Sequence, residues 1–169
     1  GTSVPITNLS GANFTAGAAV KLNLSGQDDI AATSVVVETD TRITCTLDLP
    51  PTAQTGPWNV VVTDPYGQAG TFAGGFSIDN PVPSITTFSP KKKPAGSPAF
   101  TLTVKGNNFL SDSTVRWKGA ARVTHYVSPT KLTAKIKAND VRKKGSFNVA
   151  VTNPAPGGGV SNVVKFKVT

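Results

Sequence analysis

Residues 56–65 read GPWNVVVTDP, and residues 145–154 read GSFNVAVTNP. At an offset of 89 they share Gly56/Gly145, Asn59/Asn148, Val60/Val149, Val62/Val151, Thr63/Thr152 and Pro65/Pro154, while Trp58 answers Phe147 and Asp64 answers Asn153. Each stretch runs from a glycine through alternating apolar residues into a turn, the period-2 pattern of a strand with one buried face. Its recurrence divides the chain into two copies of one β domain, residues 1–80 and residues 81–169. It predicts that Trp58/Phe147, Val60/Val149 and Val62/Val151 are buried at equivalent places.

Working outward, SGANFTAGAAVKLNL (10–24) answers KGNNFLSDSTVRWKG (105–119) at an offset of 95, with Gly11/Gly106, Asn13/Asn108, Phe14/Phe109 and Val20/Val115 in common. The Gly-x-Asn-Phe segment reads as a turn, glycine supplying a backbone geometry that other residues resist and Phe plugging the core. The fall in offset from 95 to 89 places six extra residues in the first copy between about 23 and 40, in a loop with Gln27, Asp28 and Asp29. Ile43, Cys45 and Leu47 then alternate, matched by Leu132, Ala134 and Ile136. Asp79-Asn80-Pro81-Val82-Pro83 reads as a short linker stiffened by proline. SITTFSP (84–90) opens the second copy with a strand for which the first copy has no counterpart. The first domain is therefore expected to lack its opening strand and to leave a sheet edge uncovered.

Glycine (16) and proline (13) are abundant, and no amphipathic helical run is visible, as in short strands joined by punctuated turns. No apolar run approaches the ~20 residues of a membrane span, so no membrane insertion is expected. The sequence holds no Met and no signal-peptide pattern, and it reads as a piece of a longer protein. One Cys leaves no internal disulfide. The net charge of +8 is unevenly placed: residues 1–80 carry Lys21 and Arg42 against seven acids (2 − 7 = −5), and residues 81–169 carry fifteen Lys or Arg against Asp112 and Asp140 (15 − 2 = +13). An asymmetry of this size bears on partners.

Several elements follow one another in the second copy: Pro83, Ile85, Phe88 and Pro90; Gly106, Asn108 and Phe109; a Val-x-Trp strand; Leu132-Thr133-Ala134; and a Gly-x-x-x-Val-x-Val-x-Asn-Pro strand. Together they resemble the IPT/TIG domain, over the whole second copy and from about residue 4 to 78 of the first. The resemblance implies an all-β protein of two tandem immunoglobulin-like Greek-key sandwiches. It implies no shared catalytic residues. The family includes modules of receptor ectodomains, repeats of bacterial surface proteins, accessory domains of starch-active enzymes and dimerisation domains of Rel-type transcription factors.

Candidate chemistry is sparse. His125 is the only histidine and has no acid near it in sequence; it reads as a surface strand residue rather than a ligand or base. Cys45 stands where the second copy has Ala134, which suits a small buried side chain better than a nucleophile. Asp28, Asp29, Glu38 and Asp40, or Asp79 and Asn80, match no calcium motif and read as solvated loop groups. Asn8, Asn13 and Asn23 head Asn-x-Ser/Thr sequons in a segment simply rich in these residues. No catalytic, cofactor or metal site is expected.

The basic set is the strongest lead. Lys131, Lys135 and Lys137 alternate with inward Leu132, Ala134 and Ile136, and Lys105 follows Leu102 and Val104 in the same phase. In an immunoglobulin-like sandwich these strands pair, so the four lysines would share one outer face, with Arg142, Lys143 and Lys144 as a loop cluster and Lys91, Lys92 and Lys93 as another. Such a surface either binds a polyanion by charge neutralisation or guards an exposed sheet against edge pairing. No aromatic stacking set accompanies it, so nucleic acid is not an expected partner. The whole reads as a non-catalytic structural or adhesion repeat module of a larger bacterial cell-surface or secreted protein, joined to neighbouring domains of its parent chain. The alternatives are an accessory module of an extracellular enzyme that binds polysaccharide or another polyanion and, less favoured, a Rel-like DNA-binding pair.

Overall fold

The computed structural model describes Gly1–Thr169. Its regular structure is β throughout, apart from one 3-10 turn at Ala138–Val141. The chain divides into two compact units, Gly1–Ile78 and Asp79–Thr169.

The first unit holds β1 (Thr2–Ser10), β2 (Ala19–Asn23), β3 (Ile30–Thr39), β4 (Arg42–Leu49), β5 (Gly56–Thr63) and β6 (Ala69–Ile78). They form one continuous sheet in the order β1-β4-β3-β2-β5-β6. The ten-residue β3 belongs to both layers of this sandwich. Ile30 and Ala31 pair with Leu22 and Lys21 of β2, and Ala32 to Thr39 pair with β4 through two register shifts that let the strand bend. Leu22, Ile43, Leu47 and Trp58 fill the interior. The buried Trp58 indole donates its Nε1–H to the Gln54 carbonyl at 2.8 Å, which meets its polar requirement.

The second unit holds β7 (Ser84–Ser89), β8 (Lys92–Lys93), β9 (Phe100–Asn107), β10 (Thr114–Trp117), β11 (Ala120–Ala121), β12 (Thr124–Ser128), β13 (Lys131–Ile136), β14 (Gly145–Asn153), β15 (Gly159–Val160) and β16 (Val164–Val168). One sheet runs β12-β13-β9-β7 and the other β11-β10-β14-β16-β8, the two-sheet arrangement of an immunoglobulin-like sandwich. Between them lie Leu102, Val104, Trp117, Leu132, Ile136 and Phe166, all without exposed surface.

Equivalent strands pair in each unit, with one bulge between Ile6 and Leu9 of β1 that β9 lacks. Val20 faces Val62 and Leu22 faces Val60, as Val115 faces Val151 and Trp117 faces Val149. Ile6 faces Cys45 and Leu9 faces Ile43, as Leu102 faces Ala134 and Val104 faces Leu132. Most of the extra length of the first unit is the β2–β3 hairpin: residues 23–29 separate the paired Leu22 and Ile30, where residues 118–119 separate the paired Trp117 and Ala120.

Four details depart from the sequence reading. Trp58 is buried, but Phe147 is only half-buried, because the Trp117 indole of β10 fills the interior beside it, ring centroids 5.7 Å apart. Val151 is buried but Val62 is half-buried, its strand being covered less completely. In the Gly-x-Asn-Phe turns the left-handed residue is the asparagine, Asn13 at φ 58° and Asn108 at φ 60°. The glycine instead makes room. A Cβ on Gly11 would lie 2.3 Å from Phe14 Cζ, and one on Gly106 would lie 2.7 Å from Phe109 Cζ and 1.8 Å from the Ser84 carbonyl oxygen.

The fourth concerns residues 79–83, which are hydrogen-bonded into the second unit rather than free as a linker. Asn80 N–H donates to Pro156 O at 2.9 Å, and Gly158 N–H donates to Asn80 O at 2.7 Å. Asn108 Nδ2 donates to Val82 O at 3.0 Å, and Asn153 Nδ2 donates to Pro81 O at 2.8 Å and Asn108 O at 2.7 Å. Asn153, 2% exposed, also accepts from Ser113 Oγ at 2.6 Å. Proline-rich chain offers carbonyls but few N–H groups, and two asparagine amides meet that need.

Candidate polyanion-binding face

Alternation along β9 and β13 turns Leu102, Val104, Leu132, Ala134 and Ile136 inward, and so turns Thr101, Thr103, Lys105, Lys131, Thr133 and Lys135 outward. Lys105 lies directly opposite Lys131, Thr103 opposite Thr133 and Thr101 opposite Lys135. Directly opposed residues have Cα atoms about 5 Å apart, and the four-residue step from Lys131 to Lys135 spans roughly 13 Å. The face continues to Thr87 of β7, opposite Lys105, and to His125 of β12, opposite Thr133. No Asp or Glu occurs in β7, β9, β12 or β13. β9 and β13 are interior strands with a partner on each side. Their lysines therefore guard no edge, which removes that explanation for Lys105, Lys131 and Lys135.

Two shallow recesses sit among these cations. One of about 400 Å³ is lined by Lys105, Lys131, Thr86, Gly106, Ser128 and Thr130. Ammonium groups beside hydroxyls suit an anionic oxygen, because each can donate to it. The other, about 370 Å³, is lined by Lys135, Lys137, Arg122, Ala121 and Val123. Lys137 lies beyond the end of β13, where its N–H donates to Asp140 Oδ2 at 2.9 Å. Asp140 also holds Arg122 in a two-pronged pair, Nε to Oδ2 at 2.9 Å and Nη2 to Oδ1 at 2.6 Å. That pair is largely buried and fixes the loop that carries Lys137, while neutralising Arg122.

Arg142, Lys143 and Lys144 follow the 3-10 turn and are exposed, outside the paired strands of the face. The Lys91–Lys93 cluster is not free in the same sense: Lys91 Nζ lies 4.4 Å from the Phe88 ring centre and Lys93 Nζ 5.6 Å from that of Phe100. Sequence reasoning passed over Lys165 and Lys167, whose alternation with Val164, Phe166 and Val168 turns them outward on the other sheet. Lys167 lies beside Lys92 through the parallel β16–β8 pairing. The alternation was readable in the sequence; the pairing was not.

The remaining candidates are dispersed. His125 is exposed on β12. Cys45 is 5% exposed in the first core, and burial pushes its thiol pKa up. Asp29 receives hydrogen bonds from Lys21 Nζ and Asn23 Nδ2, both at 2.7 Å, and these hold its carboxyl below the ordinary value. No three or more His, Cys, Asp and Glu side chains are placed to share a metal ion. No helix is long and apolar enough to cross a membrane.

No curated protein sequence matches the chain. Among solved structures it is similar to SGBP-B of the mixed-linkage glucan utilization locus of Bacteroides ovatus, determined in complex with a mixed-linkage heptasaccharide (15% identity, 100% of this chain and 42% of that one, TM-score 0.40). It is similar to murine CEACAM1b (13% identity, 89% of this chain and 84% of that one, TM-score 0.35). A third similarity is to the D00-D0 domain of intimin (15% identity, 97% of this chain and 83% of that one, TM-score 0.31). The chain spans less than half the length of SGBP-B. The IPT/TIG domain profile matches residues 83–168, from the proline before β7 to the last residue of β16. With that match lying on an all-β, immunoglobulin-like sandwich, the chain belongs to the IPT/TIG domain family.

Proposed function

We propose that the protein is a non-catalytic spacing and adhesion module of a larger bacterial cell-surface or secreted protein, and that its second unit holds acidic polysaccharide. The observation that carries the second clause is the outer face of the β12-β13-β9-β7 sheet, where Lys105, Lys131 and Lys135 project from interior strands and no acidic residue stands among them. A flexible anionic polymer laid across β9 and β13 would meet Lys105 and Lys131 together, then Lys135 and Lys137. Arg142, Lys143 and Lys144 extend the field at one end. Binding of this kind is driven by charge and is steeply sensitive to salt.

The test is retention on heparin and on an acidic glycan, with a neutral glucan as control. Binding is expected at about 20–50 mM salt and is expected to fade by about 0.5 M, because the screening length is about 10 Å at 0.1 M and shorter above it. Replacing Lys131, Lys135 and Lys137 with Ser should weaken retention while the melting temperature holds. No retention at low salt, or retention unchanged in the triple variant, would reject the binding face and leave spacing alone. An accessory role beside an extracellular enzyme predicts the same binding with a catalytic domain in the parent chain, and sequencing the parent gene separates the two.

A further inference from the structure

The two units differ most at one place. In the second unit β9 has a partner on each side, β13 and β7. β7 brings Ile85 and Phe88 into the core at 5% and 6% exposure, and the Phe88 ring meets Phe166 of β16 at 6.3 Å between centroids. Its approach is held by Asn108 and Asn153, which bond the carbonyls of Val82 and Pro81. In the first unit β1, in the register position of β9, pairs with β4 alone, and β6 pairs with β5 alone.

The first unit is open along the whole corresponding path. Ile6 and Leu9 are half-buried where Leu102 and Val104 are fully buried. Phe14 is half-buried where Phe109 is 2% exposed, and Phe72 of β6 is 65% exposed. A cleft of about 380 Å³ runs between Ile6 and Leu9 of β1 and Phe72 and Phe76 of β6, with Leu22 and Cys45 in its floor. A second cleft, about 220 Å³, includes Asn13 and Asp64 among its lining residues. These are the sequence counterparts of Asn108 and Asn153, which grip residues 81–82 in the second unit. Both clefts thus fall where the second unit carries residues 81–89.

We infer that the β1–β6 cleft of the first unit is a docking groove for one extended polypeptide strand from outside these 169 residues, added antiparallel to β1. The occupant has the chemistry of residues 81–90: two large apolar side chains three residues apart, with proline at its ends. β1 offers it a row of unpaired backbone groups, and the cleft takes the two side chains. Backbone pairing supplies affinity and the apolar spacing supplies selection, as in other strand additions.

The test places a copy of residues 82–95 ahead of Gly1 of the full chain, so that Gly1 takes the sequence place of Gly96. The tether gives an effective concentration of about millimolar, which removes weak affinity as a reason for failure. Amide hydrogen exchange across residues 2–10 is expected to slow by roughly tenfold or more. Labelling of Cys45, the only thiol, is expected to slow in parallel. A second version carries Ser at the copied places of Ile85 and Phe88 and is expected to exchange and label as the unextended chain does. The inference is overturned by unchanged exchange in the first version, or by equal protection in the second. It is also overturned if the unextended chain dimerises in sedimentation and protects residues 2–10 by itself, since a second copy would then be the occupant.

Discussion

Lys105 of β9 stands directly opposite Lys131 of β13, on interior strands of one sheet. Like charges facing each other across a pair of strands are destabilising, on the scale of 0.2–1 kcal/mol. An arrangement that costs stability in the free protein is relieved when an anion lies between the two ammonium groups. Lys131→Glu is therefore expected to stabilise the second unit by roughly 0.5 kcal/mol at low salt and to lower heparin retention. Denaturant unfolding at two salt concentrations checks the first effect, which should shrink as salt rises.

Asn153 is buried, and both ends of its side-chain amide are engaged. Asn153→Leu should destabilise the second unit by about 2 kcal/mol or more, because Ser113 and two carbonyls lose their partner. Asn153→Asp copies the residue at position 64 of the first unit, where the carboxylate is only half-buried and accepts from the N–H groups of Tyr66 and Gln68. At position 153 the new carboxyl would face two carbonyl oxygens, and burial would raise its pKa above the unfolded value of about 3.9. Its folded form is thus best tolerated below that value and loses stability as pH rises through the raised pKa. Thermal melts at pH 4 and pH 7 should show the gap from the parent protein widening at the higher pH.

Phe147 and Phe166 face each other across β14 and β16, yet only Phe166 is fully buried. Phe166→Ala should cost about 3–5 kcal/mol, the range of full aromatic deletions. Phe147→Ala should cost less, about 2 kcal/mol, because its exposed part is already hydrated. Chemical denaturation of the two variants gives the order directly.

The lowered pKa of Asp29 comes first from its hydrogen bond with Lys21, then from that with Asn23. A carboxyl with a depressed folded pKa adds stability above its ordinary value of 3.8, and that stability is lost as pH falls through the folded pKa. Lys21→Ala should move the Asp29 midpoint up toward 3.8 in an NMR carboxyl titration. A midpoint unmoved by the change would mean that the pair at 2.7 Å is not kept in solution.

Period-2 alternation was enough to read β5 and β14 and the inward and outward faces of β9 and β13; that β9 and β13 pair came from the resemblance to an immunoglobulin-like sandwich, and the register that sets Lys105 against Lys131 came only with the structure. Alternation is a property of one strand, and pairing of two strands whose order the fold prescribes. What stayed hidden depends on distant contacts. Phe147 and Trp58 are aligned in sequence, yet their burial differs because Trp117, on another strand, occupies the space. Residues 79–83 look like a linker until Asn108 and Asn153 are seen to bond their carbonyls. The role of asparagine in the Gly-x-Asn-Phe turn was hidden for a different reason. Glycine is the usual left-handed residue, and only the approach of the Phe ring shows that it serves here for its size.

β3 pairs with β2 at one end and with β4 along the rest, so the two layers of the first unit are joined by backbone hydrogen bonds on that side. It acts as the spine of a book whose free page edges are β1 and β6. Swelling of this unit, by heat or by a pull on the chain, has to begin at the page edges, since the spine opens only by breaking a ladder. The second unit has no such spine: its sheets are separate, and β7 and β8 close the side that the first leaves ajar. The first unit therefore yields at its open side first, and a load that loosens it need not loosen the second.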